Sequence, residues 1–265
     1  MPRFAWLTDI HLNFIDHGKI TEFCNQITAT QADGVLITGD IAEAPSLSML
    51  LTLLAEKLAR PIYFVLGNHD YYRGRISKVR ETMVELSASH SRLFWMPASD
   101  VIELSPDTAL VGHDGWGDGR LGRYDTSPIV LNDFIVIRDL VGLDRPALLA
   151  ALQQLGDEAA SYLERAVSDA LVRARRVVVL THVPPFRESC WHEGAISDDD
   201  WLPFFTCHAV GQTLRDLMTR HPDRELVVLC GHTHSAGVAR IAPNLEVRTG
   251  SAVYGAPAIQ DVLEL

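Results

Sequence analysis

Five short clusters of Asp, His and Asn carry the residue types from which a hydrolytic metal site can be built. They are Thr-Asp-Ile-His at 8–11, Gly-Asp at 39–40, Gly-Asn-His-Asp at 67–70, Thr-His at 181–182 and Gly-His-Thr-His at 231–234. Each alone has a plain structural explanation, because an Asp after a strand caps the next helix and a Gly-Asp pair is a common turn. Five such clusters in one chain, all offering oxygen or imidazole donors, exceed what capping requires. The donor set Asp9, His11, Asp40, Asn68, His182, His232 and His234 suits Zn, Mn or Fe, and no clustered thiolates accompany it to suggest a structural zinc knuckle. These donors outnumber the needs of one tetrahedral ion. Two ions sharing a bridging carboxylate would use them all, and such pairs stand about 3.5–4 Å apart in phosphatases and nucleases.

The elements that must position these donors are legible as short apolar runs, each ending where a cluster begins: Phe4 to Leu7, Val35 to Thr38, Ile62 to Leu66, Val177 to Leu180 and Leu226 to Cys230. Runs of this length rich in β-branched residues read as buried strands, and ligands in open α/β sheets gather at strand carboxyl ends. Lys19 to Gln31, Ser46 to Leu58 and Arg75 to His90 space apolar residues as amphipathic helices do. A longer helix is expected from about Arg145 to Arg175, with a possible break near Gly156. The alternation implies an α/β fold with largely buried sheets. Ser105 to Leu131 and Pro184 to Pro203, rich in Gly, Asp and Pro, are expected to be long surface loops.

The 265 residues are 47% hydrophobic and 22% charged, the balance of a globular chain able to bury a continuous core. No linker or repeat divides them, so a single domain over 1–265 is expected. A formal net charge of -11 argues against a basic groove along a nucleic-acid backbone. The four cysteines form no CxxC pair, which fits a reducing compartment. No apolar run approaches the roughly 18 residues of a membrane span, and the N-terminus reads as a strand and not as a signal peptide. A soluble, cytoplasmic protein is the expectation; oligomeric state is left open.

The clusters, in their order, resemble the calcineurin-like metallophosphoesterase superfamily, whose pattern is D-x-H, G-D, G-N-H-[D/E], H and G-H-x-H. All five blocks are present between positions 9 and 234. The resemblance implies a two-sheet β-sandwich flanked by helices, with the metals at the carboxyl ends of strands. It implies one metal on Asp9, His11 and His234, a second on Asn68, His182 and His232, and Asp40 between them. It further implies hydrolysis of a small phosphate ester, monoester or diester, by a hydroxide lying between two Mn, Fe or Zn ions. Such a hydroxide forms near neutral pH because the bound water's pKa falls towards about 7. His69 is then expected to protonate or hydrogen-bond the leaving group, with Asp70 either orienting its ring or capping the segment that follows.

Weaker signals lie nearby. The glycine-rich stretch 112–120 lacks the Gly-Lys-[Ser/Thr] of a P-loop, but could bring His113, Trp116 or Arg120 to a ligand. Arg187 and Trp191 sit in the loop just past His182, where a substrate lid is expected. Trp116 and Arg187 have ordinary alternatives, in core packing and in solvent ion pairing. A non-catalytic binding scaffold or a nuclease would be the alternative function. The first should have lost donors, and the second lacks a basic appendage here. The H-x-H-x-D-H cluster of metallo-β-lactamase hydrolases is absent.

Overall fold

The computed structural model describes residues 1–265. In chain order the strands are β1 Arg3–Leu7, β2 Gly34–Thr38, β3 Ile62–Val65, β4 Leu93–Trp95, β5 Ile102–Ser105, β6 Thr108–Gly112, β7 Arg176–Leu180, β8 Trp191–His192, β9 Ala195–Ile196, β10 Glu225–Cys230, β11 Gly237–Ala242, β12 Leu245–Thr249 and β13 Ile259–Glu264. The helices are α1 His17–Ala29, α2 Ala44–Leu58, α3 Ile76–Ser89, α4 Asp133–Val136, α5 Arg145–Arg173, α6 Leu202–Phe205 and α7 His208–Arg220. One sheet has the order β13-β1-β2-β3-β4 and the other β11-β12-β10-β7-β6-β5, with β8-β9 a separate hairpin.

Strand alternation builds a layered core from this arrangement. In β1, Phe4 and Trp6 face the second sheet and pack with Leu110, Val178, Leu180, Val227 and Leu229. Ala5 and Leu7 point the other way, towards α1 and α2. In β10, Val227 and Leu229 turn inwards while Leu226, Val228 and Cys230 meet α5 and α7. Both faces of the central strands are therefore apolar, which is why they read in sequence as unbroken hydrophobic runs. The fold is the expected two-sheet sandwich flanked by helices.

Parallel pairing does the positioning. β1, β2 and β3 run parallel to one another, and so do β6, β7, β10 and β12. Their carboxyl ends gather on one edge of the sandwich, and every one of the five clusters follows one of these strands. The helices begin where their caps lie: the Asp16 side chain accepts the Lys19 N–H and the Asp144 side chain the Ala147 N–H, each at 2.9 Å.

Two expectations need correction. The segment after Ser105 is not simply a surface loop, because Thr108–Gly112 is a strand and residues 108–118 are all buried. Its glycines and aspartates mask a strand that packs between two neighbours. The long helix also runs unbroken through Gly156. A Cβ there would lie 2.7 Å from the Cβ of Asp118. Asp118 is fully buried and its carboxylate accepts the Ala209 N–H at the start of α7, so that the glycine lets α5 press against a fixed point. Alanine normally favours a helix over glycine by about 1 kcal/mol. Gly156→Ala is expected to reverse that sign, with a net loss of about 1 kcal/mol from overpacking, read from urea unfolding. A gain in stability would show that the α5 contact can yield.

Candidate metal centre

The first donor group comes from the ends of β1, β2 and β10. Asp9, His11, Asp40 and His234 each present one ligand atom, and all these atoms lie within 4.8 Å of one another. His234 Nε2 is 3.3 Å from Asp9 Oδ1 and 3.4 Å from His11 Nε2, which is 3.7 Å from Asp40 Oδ2. The second group comes from the ends of β3, β7 and β10. Asn68 Oδ1 lies 3.1 Å from His182 Nε2 and 3.0 Å from His232 Nδ1, and the two ring nitrogens are 3.2 Å apart. Asp40 Oδ1 is 3.4 Å from His182 Nε2. The two oxygens of Asp40 therefore face different groups.

These separations fit donors arranged around shared ions. Atoms about 2.1 Å from one cation stand about 3.0–3.4 Å apart in octahedral or tetrahedral geometry. The tautomers fit as well. His182 Nδ1 meets the Thr38 carbonyl at 2.8 Å, and His232 Nε2 meets the Phe204 carbonyl at 3.2 Å. Each ring must donate there, which turns the lone pair of its other nitrogen into the site. Asn68 is aimed in the same way: its Nδ2 donates to Asp133 Oδ1 at 2.8 Å, leaving Oδ1 for the histidines.

Electrostatics point in the same direction. Burial pushes the Asp40 carboxyl well above the usual range, and Asp9, Asp70 and Asp133 push it further. Burial also works to raise Asp9, but the His234 contact and the surrounding rings outweigh it and hold that carboxyl well below the usual range. Burial lowers the imidazoles, to about 4 for His11, about 2 for His69 and about 3 for His232, and lowers His182 too. Neutral rings are the form that binds a metal. The cleft over the site, about 270 Å³ in volume, is lined by no Lys or Arg that could answer the carboxylates. The donor set fits divalent metal.

Backbone geometry accompanies the chemistry. Asp9, His11, Asp40, His232 and His234 all stand in the left-handed region, with φ of 48, 40, 52, 72 and 58°. Such conformations cost of order 1 kcal/mol each and persist where the surroundings enforce them. Here the 9–12 turn is hydrogen-bonded to the 39–41 turn through Asp9 N to Gly39 O, His11 N to Asp40 O and Leu12 N to Ile41 O. Gly67 and Gly231 precede donors for a different reason. A Cβ on Gly67 would collide with Asp40 Oδ1, and one on Gly231 with Asp9 Oδ2 and Thr8 Oγ1.

His69 lines the cleft, with its Nε2 3.9 Å from Asp40 Oδ2 and its ring stacked on Tyr72 at 4.2 Å. Asp70 does not reach that ring, contrary to expectation. Its oxygens accept the Ile41, Ala42 and Gly67 N–H groups at 2.8–2.9 Å, so it braces the two turns that carry Asp40 and Asn68. The five weaker candidates all lie off the cleft. His113 and Trp116 are buried, the first against Tyr162 and the second against Tyr71. Arg120 is held by Asp118 and Asp157, and Arg187 by Asp199. Trp191 packs on Gly237. Closeness in sequence to a donor says nothing about which way a loop side chain turns. Of the segment expected to form a lid only its last residue, His192, lines the cleft, together with Trp201 and Phe205 further along the chain. Leu131, Asp133, Tyr72 and Tyr254 complete the wall. Sequence reading missed Asp133 and Tyr254, neither of which sits in a recognisable motif.

The depressed imidazoles have a consequence for stability. In the unfolded chain they titrate near about 6.5, whereas His11 and His232 in the fold resist protonation down to about 4 and about 3. The unfolded state thus binds more protons as pH falls below about 6.5, and stability present above that value is lost through this window. Raised carboxyls act in the opposite sense over the same range, since burial lifts Asp40, and Asp70 to about 7, so the ring contribution is read by difference: in metal-stripped protein the urea midpoint of His232→Gln relative to wild type is expected to rise on going from about pH 7.5 to about pH 5. An unchanged difference would show that His232 charges freely in the fold.

Comparison with known proteins agrees with the geometry. The model of a protein family described as calcineurin-like phosphoesterase matches residues 2–236. Among solved structures, phosphopantetheinyl hydrolase from Mycobacterium tuberculosis aligns with a TM-score of 0.69 at 14% identity, covering 96% of this chain and 90% of that one. A dimetal phosphatase from Danio rerio aligns with a TM-score of 0.58 at 13% identity, covering 97% and 89%. At these identities the likeness is one of fold. No curated protein matches the sequence significantly. No helix is long and apolar enough to cross a membrane, and all four cysteines are buried and unpaired. With its five blocks gathered on one edge of the sandwich and the family pattern running over 2–236, the chain belongs to the calcineurin-like phosphoesterase family.

Proposed function

We propose that this chain, acting as one domain over residues 1–265, is a dimetal hydrolase of small phosphate esters. In this reading Asp9, His11 and His234 hold one ion, Asn68, His182 and His232 the other, and Asp40 is shared. The observation that carries it is the Asp40 carboxylate, whose two oxygens face His11 at 3.7 Å and His182 at 3.4 Å in separate donor groups. Bound there, Mn, Fe or Zn ions would polarise the phosphoryl oxygens and acidify a water for attack near neutral pH.

The chain's own residues do the remaining work. Thr38 O, Phe204 O and Asp133 fix the rings and the amide in the donor orientation. His69, neutral because burial lowers it to about 2, serves as a hydrogen-bond donor to the leaving oxygen and not as a stored proton. Leu131, Trp201 and Phe205 line the cleft and give a substrate apolar surface to rest on. Diesters are the favoured substrates. Two divalent ions would be largely neutralised by Asp9, Asp40 and the attacking hydroxide, so the single charge of a diester is matched, whereas a monoester dianion would leave excess negative charge beside Asp133 in a cleft lined by no Lys or Arg.

Mn-loaded protein is expected to hydrolyse an aryl phosphodiester faster than the matching monoester; the reverse order would remove the charge argument. Asp40→Asn should deplete metal, measured by elemental analysis, and abolish turnover. His69→Ala should keep its metal and lose about 10²–10⁴ in turnover. Full turnover by Asp40→Asn with both ions retained would sink the shared-carboxylate reading.

A further inference from the structure

Tyr254 lies beyond the stretch that matches the family pattern, residues 2–236, in the loop joining β12 to β13. Yet it lines the cleft over the metal centre. Its hydroxyl is 3.4 Å from His69 Nε2. Its ring lies 4.5 Å from that of His11 and 5.1 Å from that of His234, with Phe14 edge-on at 5.2 Å.

The loop that carries it is built to hold it there. Ser251 N donates to Gln260 Oε1 at 2.8 Å, and Gln260 Nε2 donates back to Ser251 O at 2.9 Å, closing the base of the loop. Ala252 N donates to the carbonyl of His234 at 3.3 Å, which ties the loop to a donor residue. Ala256 N donates to Val253 O at 3.0 Å and forms the tight turn that presents the side chain. A tyrosine used only as packing would bury its ring. This one is 50% exposed, with its polar end inside the cleft and next to His69.

We propose that Tyr254 is a further catalytic residue, whose O–H hydrogen-bonds the leaving-group or phosphoryl oxygen alongside His69. Two polar groups 3.4 Å apart can both reach one oxygen at about 2.8 Å. In a cleft lined by no Lys or Arg, a phenol is a donor that adds no charge. A phenol ordinarily titrates near about 10, so it carries its proton at neutral pH. No bond to Tyr254 forms or breaks; the hydrogen bond strengthens as negative charge grows on the substrate oxygen.

This inference rests on the phosphoesterase reading, and the test separates the two. Tyr254→Phe removes the hydroxyl and keeps the ring. With metal content equal to wild type, the Mn-loaded variant is expected to lose about 10²-fold in kcat on an aryl diester with a poor leaving group, and much less on a 4-nitrophenyl diester, as loss of one oxyanion donor predicts. Its affinity for inorganic phosphate, measured by calorimetry, is expected to fall several-fold. Unchanged kcat on the poor leaving group together with unchanged phosphate affinity would overturn the proposal and leave the ring as a wall. Should wild type hydrolyse no ester, the function reading fails, and phosphate affinity alone decides whether the hydroxyl touches a phosphoryl group.

Discussion

Buried negative charge that no protein cation answers is the constraint around which this structure is organised. Asp9, Asp40, Asp70 and Asp133 are all buried near one another, and isolated carboxylates in such surroundings are too costly to remain ionised. Three of them are satisfied locally. Asp70 accepts three backbone N–H groups, Asp133 accepts Asn68 and Tyr72, and Asp9 accepts the His232 N–H and the Thr8 hydroxyl. Asp40 is the exception, since His69 N donates to Oδ1 while Oδ2 faces only ring nitrogens. A cation between those rings is what this arrangement stabilises, and it stabilises the arrangement in return.

The centre also sits on the seam of the sandwich. Asp9, His11, Asp40 and Asn68 come from the first sheet, and His182, His232 and His234 from the second. Few backbone hydrogen bonds cross between the sheets, so apolar packing of their inner faces and a few buried polar side chains do the joining. Asp114, just past β6 of the second sheet, accepts the Leu66 N–H, the Trp95 indole and the Tyr71 hydroxyl of the first. Its own carbonyl accepts the His182 N–H at 2.9 Å. One buried aspartate thus sets the distance between the turn carrying Asn68 and the strand end carrying His182. The spacing of the donor groups follows from sheet packing more than from the donors themselves.

This division explains what could be read in the sequence. Strand runs that are apolar on both faces, and polar clusters at their ends, are local patterns; they located five of the strands, the main helices and the Asp, His and Asn side chains that gather at the strand ends. β6 was hidden because Gly112 and the glycines and aspartates beyond it look like loop composition, although Asp114 and Asp118 are buried and hydrogen-bonded. The left-handed backbone at Asp9, His11 and Asp40 left no compositional trace, because ordinary residues are held there by the facing turn. Orientation was illegible throughout. Trp116, in a glycine-rich stretch far in sequence from the centre, and Trp191, in the loop after His182, both turn into packing, while Tyr254, twenty residues after His234, turns into the cleft.

The placement of these residues suggests how chemistry and selectivity are divided along the chain. Every donor falls within the stretch that follows the family pattern, residues 2–236. Much of the wall comes from connections and not from strand ends: Leu131 and Asp133 around the start of α4, His192, Trp201 and Phe205 from the segment after β7, all within the same stretch, and Tyr254 from the segment before β13, beyond it. The donors are locked by strand ends and reciprocal turns, so a change there disturbs several contacts at once. The wall residues sit on connections whose ends are pinned by a few hydrogen bonds, as Gln260 pins the Tyr254 loop. Side chains on such connections can change without moving a donor. Substrate preference can therefore vary around a centre whose geometry cannot, and Asp133 is where the two meet, since it both faces the cleft and holds the Asn68 amide in its donor orientation.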